Sequence, residues 1–290
     1  MSKVFLVTDS TADLSQELAR EMDVTVIPLN VHFGDEVYKD GVNITSKEFF
    51  QKLKETDSIP RTSQPSAGDF EKLYRELGEK AGDEEFTIVS VHLSSDMSGT
   101  CQSAEMARQM LEPEGFDIRV VDSRLVSAAL GMMVRVLRTG LDQGMDIDGL
   151  LDLAGKISEN TKIFFTVDTL EFLEKNGRIG RAQALLGGLL RIKPVLEIKD
   201  GVVAPFEKLR GSKKVIPRLQ RLVEEHVPEG GKAHVAVMHT GEPDQYEKIC
   251  AGMEEKGLAH DITEGIIGPV VGCHSGPGAM GVAVCPVMFA

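Results

Sequence analysis

Short aliphatic, β-branched runs alternate with helix-spaced apolar positions through the first half of the chain, and few folds accept that rhythm. Residues 4–8, 24–33, 86–93 and 118–122 read as extended, buried runs. Between them, Leu14, Leu18 and Met22 share one helical face behind Ser10 or Thr11 as cap. Thr45-Ser46-Lys47-Glu48 is a capping box, and Pro65-Ser66 opens a helix with Phe70, Leu73, Tyr74 and Leu77 in register. A helix over 100–111 and an almost wholly apolar one over 125–141 follow. Strand–helix–strand repetition predicts an α/β fold, a doubly wound and mostly parallel sheet.

The second half changes character. Asp200-Gly201 stands between two apolar runs, a strong hairpin signal. Helices are expected near 213–225 and 244–255, and strands near 234–239, 261–267 and 281–287. This predicts a C-terminal α+β domain with antiparallel strands. The expected domains are residues 1–160 and 161–290.

A formal charge of −13 on 290 residues, with no basic stripe, argues against nucleic acid, which needs clustered Lys and Arg. Membrane contact is expected to be transient at most. No apolar stretch nears the ~20 residues of a membrane span, and the N-terminus lacks a signal-peptide pattern, so a cytoplasmic chain is expected. The four cysteines form no C-x-x-C pair and predict packed thiols, with neither disulfides nor a metal. P-loop, G-x-S-x-G and H-E-x-x-H motifs are missing from the sequence. Gly276-Pro277-Gly278-Ala279-Met280-Gly281 matches G-x-G-x-x-G but leads into a strand-like run, so a glycine turn is expected there and no dinucleotide cofactor.

The loops at predicted strand ends are loaded with hydroxyls. They are Thr8-Asp9-Ser10-Thr11, Thr62-Ser63-Gln64-Pro65-Ser66, Ser94-Ser95-Asp96-Met97-Ser98-Gly99-Thr100 and Asp122-Ser123. In open α/β sheets ligands bind outside the strands' carboxyl ends. One helix start needs one cap, and the 94–100 loop offers four hydroxyls. These loops carry no Arg or Lys. That suits a single carboxyl held by neutral donors better than a phosphate, which draws a guanidinium or ammonium. Among the seven histidines, His274 stands out, inside Gly272-Cys273-His274-Ser275-Gly276-Pro277-Gly278.

These blocks, with Asn176-Gly177-Arg178-Ile179-Gly180 and Ile192-Lys193-Pro194, occur in the order seen in the DegV family, which the chain resembles over nearly its whole length. Met97, Cys101 and Asn176 depart from that pattern, where Leu, an aromatic and Gly are commoner. The resemblance implies two α/β domains with a long-chain fatty acid between them. It implies a lipid-binding subunit, not an enzyme, that presents the acyl carboxyl to a separate ATP-dependent fatty acid kinase. By the same resemblance Thr62, Ser94, Ser95 and His274 bind the carboxyl, and Arg178 docks the kinase. Fourteen methylenes at ~0.8 kcal/mol each would supply on the order of 11 kcal/mol before association costs. Residues 125–141 and 182–190 are candidate tunnel walls. The competing expectation is a serine-dependent (thio)esterase with a Ser94–His274 dyad oriented by Asp9. A sugar-kinase-like enzyme is disfavoured by the missing nucleotide loop.

Overall fold

The structure, a computed structural model, describes residues 3–56, 58–186 and 192–288. In chain order the first part contains β1 (Lys3–Asp9), α1 (Gln16–Glu21), β2 (Val24–Ile27), β3 (Asn30–Phe33), β4 (Glu36–Lys39), α2 (Ser46–Glu55) and β5 (Arg61–Ser63). There follow α3 (Ala67–Ala81), β6 (Phe86–His92), α4 (Thr100–Leu111), β7 (Asp117–Asp122), α5 (Ala128–Asp142) and α6 (Ile147–Asn160). The second part contains β8 (Lys162–Thr166), α7 (Glu171–Lys175), β9 (Ile192–Lys199), β10 (Val202–Arg210), α8 (Val215–His226), β11 (Ala233–His239), α9 (Pro243–Glu254), β12 (Ala259–Ile266), α10 (Pro269–Ser275) and β13 (Met280–Pro286).

The predicted α/β class holds. A parallel four-stranded sheet runs β2-β1-β6-β7, and a six-stranded sheet runs β10-β9-β8-β13-β11-β12. The second sheet is antiparallel except where β11 meets β12. Pro28 interrupts the 24–33 run, so its two halves enter different sheets. β3 instead pairs with β4 and β5 in a small antiparallel sheet. The first helix also starts later than expected. Asp9 caps a 3-10 turn at Ser10–Ala12, and Ser15 caps α1. The capping box at Thr45 forms as read, and a second one joins Ser66 to Asp69.

α3 and α4 cover one face of the parallel sheet, burying Phe70, Tyr74, Leu77, Ala104 and Leu111 against Val7 and Ile88. α8 and α9 cover the outer face of the six-stranded sheet. α5 packs against β1 and also against β11, β12 and β13, so one helix joins both sheets. Leu130, Met133 and Leu137 on α5 are fully buried, each such side chain contributing ~1.5–3 kcal/mol. Gly131 lets α5 approach: a methyl there would sit 2.5 Å from the Ala12 carbonyl oxygen. Among the described residues, no helix is long and apolar enough to cross a membrane.

Candidate functional site

Between the sheets lies a cavity that, counted with the solvent-open space at its mouth, spans about 930 Å3. Its floor is the inner face of the six-stranded sheet. Ile163 and Phe165 of β8 point there because strand side chains alternate, while Phe164 between them faces α8. Ile198, Val203 and Met238 continue that apolar face, and Leu29, Leu93 and Val126 form the opposite wall. Gly281 pairs with both Phe165 and Met238, and glycine lets them close over it, since a methyl there would lie 2.7 Å from Phe165 Cβ and 3.2 Å from Met238 Cε.

One end is polar. Thr62 sits on β5, held opposite Val31 of β3. Its Oγ1 lies 2.9 Å from His274 Nε2. His274 rides on the last turn of α10, which begins with Gly268 as cap and Pro269 in its first turn. Gly272 lets α10 press onto α2, since a methyl there would meet Phe49 at 2.7 Å. Asn176 Nδ2 donates to the Cys273 carbonyl and fixes the helix end. Burial, and then the Arg178 charge, push His274 down to about 4, so the ring is neutral near pH 7. His274 Nδ1 is buried with no hydrogen-bond partner.

Arg178 reaches the same end. The chain leaves α7 through Gly177 at φ 69°, and the Arg178 amide donates back to the Leu173 carbonyl, a Schellman-type ending. The Arg178 guanidinium donates to the carbonyl oxygens of Met97 and Asn176. Among the described residues, no carboxylate pairs with it. An arginine therefore lines the polar end, which corrects the expectation of an arginine-free head-group site. No hydroxyl-rich loop carries a cation of its own, and Arg178 arrives from a distant segment.

Ser94 and Ser95 do not line the cavity. Ser94 is fully buried and its hydroxyl donates to the Gly201 carbonyl at 2.7 Å. Ser95 is exposed and donates to the Asp122 carboxylate through both its amide and its hydroxyl. Ser94 and Ser95 thus hold loops together, while Ser98 of the same loop lines the cavity. Ser94 clasps the β9–β10 turn, and Ser98 meets Thr100. Of the expected walls, Val126 and Ser127 line the cavity from the 125–141 segment. Ala182 and Leu185 are buried but do not line it, and residues 187–190 lie outside the described residues.

The esterase geometry is not assembled. Ser94 bonds Gly201, His274 bonds Thr62, and Asp9 accepts from Thr11, His92 and the Leu93 amide. A different Ser–His–Asp chain does form. Tyr74 donates to Ser90, Ser90 lies 2.7 Å from His92, and His92 Nδ1 lies 3.0 Å from Asp9. All four residues are fully buried and none lines the cavity, although Asp9 holds two residues that do, Thr11 and Leu93; the chain satisfies core polar groups and has no room for substrate. Among the described residues, no group of three or more His, Cys, Asp or Glu could hold a metal ion.

The DegV family model, described as an uncharacterised protein family, matches residues 3–287. The chain belongs to the DegV family. A DegV domain-containing protein of Deinococcus radiodurans is 37% identical over 286 residues, covering 98% of this chain and 99% of the relative. Protein DegV of Bacillus subtilis is 33% identical, covering 97% and 99%. Among solved structures, a fatty-acid-binding DegV family protein from Thermus thermophilus superimposes with a TM-score of 0.90 at 36% identity, covering 98% of this chain and all of that one. The B. subtilis DegV structure, described as a fatty acid binding protein, gives 0.89 at 31% identity, covering 99% and 100%. A stearic-acid-binding protein from Eubacterium ventriosum gives 0.89 at 28% identity, covering 99% and 98%.

Proposed function

We propose that this DegV protein binds a long-chain fatty acid in the cavity between its sheets and presents the carboxyl to a separate ATP-dependent fatty acid kinase. The observation that carries the reading is the cavity's polarity: one polar end built by Thr62, His274 and Arg178, and apolar walls beyond it. The acyl tail lies along Val126, Ile163, Phe165 and Ile198. With Nε2–H of His274 donating to the Thr62 oxygen, the Thr62 hydroxyl is left free to donate to the carboxylate. Arg178, exposed and without a carboxylate partner among the described residues, supplies a charge at the mouth for an acidic surface of the kinase. Ser94 and Ser95 act in this proposal by shaping the loop beside the mouth. The two domains of the proposal are residues 1–160 and 161–290, with α5 shared between their sheets, and the proposal places the protein in the cytoplasm.

The protein acts as a carrier, with chemistry supplied by the kinase. Organic extraction and mass spectrometry of purified protein are expected to yield a long-chain fatty acid. Protein with no acyl ligand and no uptake of stearate would end the proposal. Replacing Arg178 by Ala is expected to preserve bound lipid and lower acyl-phosphate formation by a kinase. Hydrolysis of acyl esters, abolished in Ser94→Ala, would favour the esterase instead.

A further inference from the structure

Three acids meet at the base of α10. Asp9 has its oxygens satisfied by Thr11, His92 and Leu93. Asp13 stands in the left-handed region, φ 51°, and is half-buried. One oxygen accepts from the Gly268 amide at 3.0 Å and the other from the Ser127 hydroxyl. Asp40 is 4% exposed, and its Oδ2 is buried with no hydrogen-bond partner. Both carboxyl groups press on the α10 cap: a methyl on Gly268 would lie 2.7 Å from Asp13 Oδ1 and 3.4 and 3.6 Å from the two Asp40 oxygens. Among the described residues, no Lys, Arg or His forms an ion pair with either. The titratable groups that face them are Asp9 from β1 and Cys273 from α10, and neither supplies positive charge. The other neighbours are the hydroxyls of Ser10 and Ser127 and the amides of Gly268 and Val270.

Two neighbouring carboxylates without a cation, one buried and the other half-buried, do not both ionise readily. We infer that Asp13 and Asp40 retain one proton between them, that this proton holds the start of α10 in place, and that its loss loosens α10 and releases lipid. This rests on the lipid-cavity reading above. Ile267, Val270, Val271 and His274 all line the cavity, so a shift of the α10 cap moves its wall and its polar end together. Burial raises Asp40 to about 7 and Asp13 well above the ordinary range, in keeping with the geometry. The second ionisation buries a charge on Asp40, whose Oδ2 has no partner at hydrogen-bond distance and whose neighbouring donors are only the Ser10 hydroxyl and the Val270 amide. Yielding of the first turn of α10, which packs against both carboxyl groups, would open that oxygen to water.

The test compares wild type with Asp40→Asn and Asp13→Asn, each loaded with stearate. Lipid retention and amide exchange of α10, corrected for intrinsic chemistry, are followed from about pH 5.5 to about pH 8.5. Wild type is expected to lose lipid ~10-fold faster at the upper end, with α10 exchange rising in parallel, and Asp40→Asn to lose most of that dependence. The titration of the fatty acid itself is common to both proteins and cancels. The infrared band of a protonated carboxyl, present in wild type at neutral pH and altered in Asp13→Asn, supplies a readout that does not depend on the variants releasing lipid. An unchanged pH profile in Asp40→Asn, or no protonated-carboxyl band at neutral pH, would overturn the inference. So would retention that is flat with pH but lost on adding a chelator, which would put a metal cation where the proton is assigned. Failure of any lipid to bind at any pH would remove the lipid reading, while α10 exchange and the carboxyl band would still decide the acid pair.

Discussion

At the scale of single residues, the polar end depends on one short contact, Thr62 with His274. Thr62→Val keeps the shape of the side chain and removes its donor. The expected loss of fatty acid affinity is ~1.5–3 kcal/mol if the carboxyl is ionised, since hydrogen bonds to charged groups lie in that range. Calorimetric titration measures it, and the melting temperature of the empty protein should barely move. His274 gives a pH prediction. Its folded value, about 4, lies below the ordinary 6.5, so the unfolded chain binds the proton more readily. Stability from this group is therefore fully present above about 6.5 and is lost as pH falls toward about 4. The difference corresponds to about 3 kcal/mol. Denaturant titration of wild type and His274→Gln across that window should show the variant losing less stability on acidification. Asp40, with its raised value, acts in the opposite sense: its contribution is present at low pH and declines as pH rises through about 7.

At the scale of elements, local signals were legible in the sequence and placements between elements were not. The hairpin at Asp200-Gly201 forms with φ 54° and 77°, the two positive values its turn type demands. Two residues carry that signal, as one cap and its third neighbour carry the box at Thr45. The three-stranded sheet leaves little trace in the sequence because its strands are only three or four residues long and β5 is polar throughout. α10 leaves as little because it is seven residues long, contains Gly272 and is bounded by Gly268 and Gly276. α6 did carry a readable signal, Leu150, Leu153, Ala154 and Ile157 at helical spacing. Thr62 and His274 were legible as candidates by residue type and, for the family, by motif. The direction of the Ser94 hydroxyl was not, because it depends on a turn 107 residues away. That clasp can be broken at its other side. In Gly201→Ala the new methyl would fall 2.5 Å from Ser94 Oγ and 3.0 Å from Asp96 Oδ2. Left-handed strain alone amounts to ~1–3 kcal/mol. Gly34→Ala, at φ 60° with open space around it, isolates that strain. Gly201→Ala should destabilise more than Gly34→Ala by thermal melting, and it alone should speed escape of bound lipid. Equal effects would show that the clasp contributes nothing to the mouth.

At the scale of the whole molecule, the cavity interrupts one continuous core. A single buried cluster runs from Leu6 and Val89 of the first sheet, through α5, to Ile163, Met238 and Ala283 of the second. An empty cavity in that cluster leaves the facing walls without contact atoms, and a bound acyl chain restores them. The sheets are joined otherwise by α5, by the Ser94–Gly201 bond and by the Arg178 bond to Met97. Lipid filling the space between the sheets should therefore stabilise both together and not one sheet alone. A ligand that binds only the folded state contributes RT ln(1 + [L]/Kd), about 2.7 kcal/mol at ~100 times Kd. Delipidated protein is expected to melt at lower temperature than protein carrying stearate, and added stearate should restore the higher transition. Hydrogen exchange should show the gain in β8 and β13 of one sheet and in β1 and β6 of the other. Protection confined to the six-stranded sheet would mean that the acyl chain lies on its floor without bridging to the parallel sheet, and the shared-core account would fail.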